Sequence, residues 1–402
     1  MPGRTAAWAP LTQEQLEARR VVNVHPEIVT DVASTDIPGH YGPAQDDSWN
    51  IERFKDNLTI NFHKNEPLDS SFSLIGVDAA IANAFRRILL AEIPTLAIED
   101  IYISDNTSII QDEVLCHRLG LVPLTGGKEG LRWMRWFKKP PPKDDYAALA
   151  LYDADTEGGD DARKPTDYNT IVLTMDVTCR WATEAEDGRD GKQLARDGNL
   201  NPADRYVNSS VYAESLHFEP RGQQANYFGT PETAIKPVRK EASMTGDRGI
   251  LVAKMRPGQH IQLECHCIKG IGKDHAKFSP VATASYRLLP DIKITKPILG
   301  PLAHKFKRCF PRGVIGLEKD QESGQDKAVV LDPMKDTVSR EVLRYPELAE
   351  KVKLGRIRDH FIFSVESTGQ LDSDELFLDS VRLLKAKAER FKRHLNELEE
   401  GR

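Results

Sequence analysis

The C-terminal end of the chain carries an apolar stripe that any fold of this chain has to cover. Apolar side chains recur there at alternating spacings of four and three residues, at Phe377, Val381, Leu384, Ala388, Phe391, Leu395 and Leu398. This spacing is typical of the a and d positions of a coiled-coil helix. A helix over residues 373–398 would be roughly 39 Å long. One stripe cannot bury itself, so it packs either on the chain's own domain or on another chain.

A second amphipathic helix is predicted over residues 79–91. Asp78 is a good N-cap because its carboxylate can accept hydrogen bonds from the first turn, and Pro94 stops the helix. One face follows the 3.6-residue period of an apolar stripe. Its positions are Ile81, Ala84, Phe85, Ile88 and Leu89. The opposite face carries Asn83, Arg86 and Arg87. We expect both faces to make contacts.

Alternation of apolar and polar residues predicts several half-buried strands. The segments are residues 58–62, 72–74, 101–103, 171–179, 211–218, 261–267 and 361–365. Residues 138–167, rich in charge and proline, and residues 184–205, rich in charge, are interpreted as surface loops. Low periodicity also predicts little regular structure at residues 293–336. Asp112 is expected to cap a short helix that ends at Gly120. Mixed helices and strands indicate an α+β fold.

Composition excludes several classes of protein. The 402 residues suffice for two or three domains. The 55 basic and 61 acidic residues give a formal charge of −6, so the chain lacks an overall basic footprint for nucleic acid. Five scattered cysteines argue against a disulfide framework and fit a reducing compartment. No apolar run reaches the eighteen or so residues that a transmembrane helix needs.

Candidate chemistry is sparse. Cys265 and Cys267 flank His266, but strand alternation puts the two thiols on the apolar face and the imidazole on the other, beside His260. A structural zinc site usually needs four ligands, and the next cysteine, Cys309, is far along the chain. Common nucleotide-binding, hydrolase and metalloprotease motifs are missing. We therefore predict no catalytic residue, no metal and no cofactor.

The glycines and lysines of residues 269–278 could suggest a phosphate-binding loop, but they lack the spacing of a Walker motif. A structural turn is the favoured interpretation. His117 is interpreted as a packing histidine. Asp112 and Glu113 are interpreted as helix-start acids that the helix dipole favours, rather than as a catalytic pair.

Four blocks of sequence, in order, resemble the alpha-like subunits of cellular RNA polymerases. They are residues 83–99, residues 117–124 with Leu-Gly-Leu-Val-Pro-Leu at their end, residues 269–278 with Lys-Gly-Ile-Gly-Lys at their start, and residues 365–369. The family includes the bacterial alpha subunit and its archaeal and eukaryotic counterparts. The resemblance covers roughly residues 50–400.

The resemblance implies a non-catalytic assembly subunit with a split dimerisation domain. This domain, a small sheet with long helices, would occupy residues 51–95 and 281–402. A strand-rich domain would be inserted at residues 96–280, after an extended N-terminal arm at residues 1–50. Alpha-like subunits dimerise through helices that flank a small sheet, which favours sharing of both apolar stripes with a second chain. The face with Asn83, Arg86 and Arg87 would contact a large polymerase subunit.

Within the family, the chain looks like the subunit that eukaryotic RNA polymerases I and III share. Some relatives, notably in polymerase II, carry a cysteine-rich zinc loop after the block at 119–124, whereas this chain has Trp133, Trp136, prolines and an acidic run there. The implied partners are a smaller alpha-like subunit, the two largest subunits and small zinc-bearing subunits, in the nucleus. We expect no sequence-specific DNA binding by the chain itself and no membrane association. The alternatives are the polymerase II or archaeal counterpart and, in another class, a free-standing RNA-binding protein or enzyme.

Overall fold

The computed structural model describes residues 20–32, 50–139, 162–183, 190–198, 201–239, 249–321 and 323–400. Its strands are β1 Val21–Val24, β2 Val29–Thr30, β3 Thr59–Asn65, β4 Asp69–Ile75, β5 Thr95–Asn106, β6 Leu124–Thr125, β7 Thr170–Thr178, β8 Arg180–Trp181, β9 Tyr206–Val207, β10 Ser210–Tyr212, β11 His217–Phe218, β12 Lys236–Pro237, β13 Leu251–Lys254, β14 His260–Gly270, β15 Val281–Ile294, β16 Ile315–Lys319, β17 Asp326–Val330 and β18 Val352–Ser367. The helices are α1 Ile51–Asn57, α2 Ala79–Ala91, α3 Asp112–Gly120, α4 Lys128–Trp133, α5 Gly191–Arg196, α6 Pro202–Arg205, α7 Ala225–Phe228, α8 Pro301–Arg308, α9 Pro346–Ala349 and α10 Ser373–Glu400.

The chain divides into two compact units. The first takes its described residues from 1–65, 70–86 and 285–364, and the second takes them from 66–69, 87–284 and 365–402. We predicted that the second segment of the dimerisation domain starts at residue 281. In this division, the last segment of the first unit starts close by, at residue 285. The C-terminal helix, which we assigned to that domain, is grouped with the second unit here. The domain boundaries themselves stay a prediction.

The first unit is built on a six-stranded sheet with the order β2-β1-β18-β4-β3, in which β15 also pairs with β18. Alternate apolar residues of β4 and β18 face its core. The strand predicted as half-buried at 58–62 forms β3, but every residue of β3 is exposed, with Ile60 at 42% and Phe62 at 46%, so that part of the prediction is wrong. Phe72 and Phe363 are fully buried, and their rings stack in parallel with centroids 5.3 Å apart. The ring of Tyr286 contacts Phe361 edge-on at 5.3 Å. Such aromatic pairs stabilise a core beyond the area that they bury.

Two further parts of the first unit differ from the sequence-based expectation. Residues 21–24, assigned to an extended arm, form β1 and pair antiparallel with β18. Of the arm predicted at residues 1–50, the structure describes residues 20–32 and 50, and the rest lies outside the described residues. Residues 293–336 contain helix α8 and the β16–β17 hairpin, where low periodicity predicted little structure. These short elements share a small core around Phe306. Packing in this core stabilises them, although their local sequence pattern is weak.

The second unit contains a four-stranded antiparallel sheet with the order β11-β7-β14-β5. The strands predicted at 101–103 and 261–267 are confirmed within β5 and β14, and the strand predicted at 171–179 is confirmed up to Thr178, where β7 ends. Cys265 lies opposite Leu173 on one side and Ile101 on the other. The α+β class is therefore confirmed. Within the described part of the chain, no helix is both long and apolar enough to cross a membrane.

Three local predictions in the second unit are wrong. Residues 184–205, interpreted as a surface loop, contain the helices α5 and α6, and Leu194 of α5 is buried. The strand expected at 211–218 is interrupted by a turn at Ala213–Ser215, so that β10 pairs with β13 and β11 pairs with β7. Asp112 does not cap its helix: Gln111 is the N-cap residue, and Asp112 accepts a hydrogen bond from the Asn106 amide at 2.6 Å. A competing side-chain partner thus takes the carboxylate away from the backbone.

Candidate assembly interface

The helix α2 confirms its predicted cap and exposes only part of its apolar stripe. The Asp78 carboxylate accepts from the Ala80 backbone N–H at 2.8 Å. Phe85, Ile88 and Leu89 are buried within the chain itself, at 8%, 3% and 0% exposure. Ile81 and Ala84 are half-buried. The part of the stripe that remains accessible therefore lies near the start of the helix.

The polar face of α2 is partly fixed by an internal contact. The Arg86 guanidinium donates from Nε and Nη2 to Asn83 Oδ1, at 3.0 and 2.9 Å. Arg86 and Asn83 are half-buried, whereas Arg87 is exposed. Because Asn83 already fixes the Arg86 guanidinium, this group would lose less conformational entropy when it binds a carboxylate. This face is thus organised for contact with an acidic group.

The C-terminal helix α10 is covered at its start and open along the rest of its length. Leu376 and Phe377 are buried, at 0% and 4% exposure. From Val381 onward, no described residue of the helix is buried, and Phe391 and Leu398 are each 70% exposed. The other stripe residues are also accessible, namely Leu384, which is half-buried, and Ala388 and Leu395, which are exposed. An apolar stripe of this length in water is an association site.

Ion pairs within the second unit hold α10 in place. Lys128 of α4 pairs with Glu375 and lies 3.9 Å from Asp372. Nη2 of Arg132, also in α4, lies 3.7 Å from Oδ1 of Asp379, which is one turn further along α10. Lys387 pairs with Glu92. Exposed pairs of this kind stabilise a protein by at most about 1 kcal/mol each, so they orient the helix more than they stabilise it.

The Cys265–Cys267 segment is placed as strand alternation predicted. Both thiols are fully buried, and His266 lies on the other face, where Nε2 is 3.0 Å from Glu264 Oε1. Burial raises the pKa of Cys265 to about 12 and that of Cys267 well above its usual value. A zinc ligand has to be a thiolate, so a metal at this position would have to displace the proton of a buried thiol. Among the residues that the structure describes, no group of three or more histidine, cysteine, aspartate or glutamate side chains could hold a metal ion.

Residues 269–278 form a structural turn, as predicted. Gly272 lies against the end of α2, where an added Cβ would be 2.3 Å from the Leu90 carbonyl oxygen. The Lys273 N–H donates to the Ala91 carbonyl at 2.9 Å. A Cβ at Gly270 would be 2.6 Å from the Phe278 ring. The glycines therefore allow close packing of the backbone.

Sequence reasoning missed a half-buried ion cluster beside this turn. Glu99 pairs with Lys139 and, at 2.6 Å, with Lys277. Burial alone would raise the pKa of Glu99, but the two lysines outweigh it, and the pKa is lowered. Lys277 also donates to the Ile98 carbonyl at 2.7 Å. No local pattern reveals this cluster, because its members are far apart in sequence.

His260 forms a second charged cluster that sequence reasoning missed. Its Nδ1 lies 2.8 Å from Asp105 Oδ2 and its Nε2 lies 2.9 Å from Asp176 Oδ1. Both nitrogens can donate only when the imidazole is protonated. Hydrogen bonds with Asp176 first, and then with Asp105, therefore raise the pKa of His260.

We expect this histidine to stabilise the second unit more at low pH. Its pKa in the folded state lies above the unfolded value of about 6.5, so the stabilisation is complete below that pH and is lost as pH rises through the folded pKa. The variant His260→Gln should lower the thermal midpoint more at pH 6 than at pH 8.5. Circular dichroism melts at both pH values measure this difference. An equal loss at both would contradict the assignment.

Comparison with known proteins agrees with these features. The model of the RNA polymerase Rpb3/Rpb11 dimerisation domain matches residues 71–388. The DNA-directed RNA polymerases I and III subunit RPAC1 of Saccharomyces cerevisiae is 47% identical over 372 residues, which are 92% of this chain and 97% of the relative. The human protein of the same name is 42% identical over 90% of this chain and 91% of the relative.

More distant relatives include subunits of other polymerases. The DNA-directed RNA polymerases II, IV and V subunit 3 of Arabidopsis thaliana is 31% identical over 79% of this chain and 85% of the relative. Identity therefore falls when the relative is named for polymerases other than I and III. The match of the domain model covers most of the chain, including both apolar stripes up to residue 388. The chain belongs to the family of RNA polymerase subunits that carry the Rpb3/Rpb11 dimerisation domain.

Proposed function

We propose that this chain is a non-catalytic assembly subunit of the DNA-directed RNA polymerases I and III. The observation that carries this proposal is the open stripe of α10, in a chain whose relatives are named for those two polymerases. The chain would form a heterodimer with a smaller alpha-like subunit. That pair would be the platform for the two largest subunits and for small zinc-bearing subunits. The complex would act in the nucleus, including the nucleolus, and make ribosomal and small structured RNAs.

The heterodimer face is proposed to combine the accessible parts of both stripes. On α10 it would use Val381, Leu384, Ala388, Phe391 and Leu395, and on α2 it would use Ile81 and Ala84. The remaining predicted interface residues are Phe85, Ile88, Leu89 and Phe377, all buried within the chain. Each helix is therefore packed behind its accessible residues, which lowers the entropic cost of binding.

Affinity isolation tests the proposal directly. The tagged full-length chain, expressed at its normal level, should copurify one smaller alpha-like subunit and the two largest subunits of both polymerase I and polymerase III. Mass spectrometry identifies the copurifying chains. A tagged largest subunit of polymerase II serves as the reference and should not recover this chain. Recovery with polymerase II alone, or without any polymerase subunit, would contradict the proposal.

The polar face of α2 makes a separate prediction. We propose that Asn83, Arg86 and Arg87 contact a large subunit. The double variant Arg86→Ala/Arg87→Ala should keep the heterodimer but weaken capture of a large subunit, because loss of one partner of a desolvated charge pair costs about 2–5 kcal/mol. Quantitative mass spectrometry of the isolated complexes gives the ratio of the smaller alpha-like subunit to this chain and the ratio of the large subunits to this chain. Arg344→Ala removes an exposed arginine outside α2 and α10 and serves as the control. Normal incorporation of the double variant would rule out this role.

A further inference from the structure

A groove of the second unit runs between α4 and the first turns of α10, and its floor is apolar. Its cavity volume is about 460 Å³, within the range of ligand-binding pockets. Ile93 is buried at its base, while Leu131, Leu371 and Leu383 are half-buried along its walls. We call this feature the basic groove, because its rim is cationic.

Two arginines of the rim share one carboxylate. Arg382 Nη1 lies 2.7 Å from Asp379 Oδ1, and Arg132 Nη2 lies 3.7 Å from the same oxygen. Both arginine side chains are more than 60% exposed. One carboxylate balances only one of the two guanidinium charges. The rim therefore keeps a positive charge that is open to a second carboxylate.

A half-buried lysine adds to this charge. Lys269 Nζ donates to the Leu131 and Met134 carbonyls, at 2.9 and 3.2 Å. Within the described residues it has no carboxylate partner, and burial lowers its pKa. An ammonium has three N–H donors: two are used by these carbonyls, and Nζ also lies 5.3 Å from the centroid of the Trp136 ring. Burial disfavours the charged form of this lysine, so a carboxylate that binds beside it would stabilise the ammonium.

We propose that the basic groove docks a segment of a partner polypeptide in which an apolar side chain is flanked by carboxylates. The apolar side chain would lie on Ile93 and Leu383, where burial of apolar area is favourable. The flanking carboxylates would pair with Arg132, Arg382 and Lys269. Matching of charge at an interface speeds encounter and fixes the register of the bound segment.

The lining favours a peptide over a nucleic acid. Single-stranded nucleic acids bind by stacking successive bases on aromatic side chains. The described residues that line the groove include no aromatic one, and beside it the single ring of Trp136 already lies 5.3 Å from Lys269 Nζ. Aliphatic walls suit a leucine or methionine side chain instead. Nucleic acid is therefore an outcome that the experiment has to distinguish.

The basic groove and the proposed heterodimer face use different sides of α10. The groove is lined by Asp379, Arg382 and Leu383, while the heterodimer face uses Val381, Leu384 and Ala388. Both sides could therefore be occupied at once, by two different chains. The inference rests on the proposed function in one respect, since the partner segment is sought among the chains of the assembled complex.

Photocrosslinking in the assembled complex tests the inference. The tagged full-length chain carries p-benzoylphenylalanine in place of Leu383, and the isolated complex is irradiated and digested. Mass spectrometry then identifies the crosslinked segment. The same group in place of Leu378 is the control, because this residue is on the same helix, 52% exposed and outside the groove. We expect crosslinks from position 383 to one segment with at least two carboxylates beside its apolar residue.

Charge variants then test the role of the rim. Replacement of Arg132 and Arg382 together by Glu should lower the crosslink yield from position 383 at least fivefold. Replacement of both by Lys keeps the charge and should retain the yield. Raising the salt concentration of the complex should also lower the yield with the original arginines, because salt screens exposed charges. If the Glu variant fails to assemble, the salt series alone tests whether the crosslink yield depends on the charge of the rim.

Several results would overturn the inference. They are crosslinks to a segment without carboxylates, to nucleic acid or to this chain itself, and a yield that neither salt nor charge reversal changes. Absence of any crosslink from position 383 would also overturn it. If the heterodimer and large subunits are still recovered in that case, the proposed function stands and the groove proposal alone fails. If no polymerase subunit is recovered, the proposed function fails as well.

Discussion

Replacing Leu384 and Phe391 together by Asp should abolish the one-to-one heterodimer that the chain forms with a smaller alpha-like subunit. Leu384 is half-buried and Phe391 is 70% exposed, so neither change empties the core of the isolated chain. Each change would put a carboxylate into an apolar interface. Loss of an interface hot spot costs 2 kcal/mol or more, so the pair should weaken binding by about 4 kcal/mol, roughly a thousandfold.

Size-exclusion chromatography with light scattering of the co-expressed pair measures this result. Leu378→Asp is the control, because it adds a carboxylate to an exposed leucine of α10 outside the stripe. The wild-type chain expressed alone should self-associate or aggregate, since its stripe stays in water. A soluble, stable monomer of the wild-type chain would mean that α10 needs no partner, and the shared-interface proposal would fail.

The two long helices were predictable because each carries a complete local pattern. A 3.6-residue period, a capping Asp and a terminating Pro define α2, and the 4-and-3 spacing defines α10. What the sequence could not give is which stripe residues the chain buries by itself. Phe377 and Phe391 occupy equivalent positions of one pattern, yet one is 4% and the other 70% exposed. Only tertiary packing distinguishes them.

Strands and short elements show the same limit. Alternation located β7, β14 and β18, because one face of each is buried. It also suggested one strand at 211–218, since alternation does not register the turn at Ala213–Ser215. Helix α1 was missed, although Asn50 accepts from Glu52 and Arg53 N–H groups at 2.8 and 3.0 Å. That Asn with an acidic residue two positions later was the signal that could have found it.

The candidate site divides along similar lines. The turn at residues 269–278 was predicted because its glycine spacing fits no phosphate loop. By contrast, the His260 cluster and the basic groove join residues that are far apart in sequence, such as Asp105 with Asp176, or Lys269 with Arg382. Each of these residues alone looks like an ordinary surface charge. Their meaning depends on the strand register and helix packing that bring them together.

Replacing Phe85 by Ala should destabilise the chain itself as well as any assembly that it enters. From sequence alone we expected the cost in the dimer. The structure leaves the ring only 8% exposed within the chain, so truncation opens a cavity in its own core. Removal of a buried Phe costs about 3–5 kcal/mol, a large part of the 5–15 kcal/mol that typically stabilises a protein. The thermal midpoint should fall by roughly 6–20 °C.

Ile81→Ala is the control that separates core from interface. Ile81 is on the same stripe of α2 but is only half-buried in the chain, so its truncation should weaken the heterodimer while changing the chain's own stability less. Thermal unfolding of the heterodimer at two protein concentrations tenfold apart measures both, because dissociation makes the midpoint depend on concentration. For Phe85→Ala the fall in midpoint should be the same at both concentrations, whereas for Ile81→Ala it should be larger in the dilute sample. If Phe85→Ala instead changes only the concentration dependence, its ring acts at the interface and not in the core of the chain.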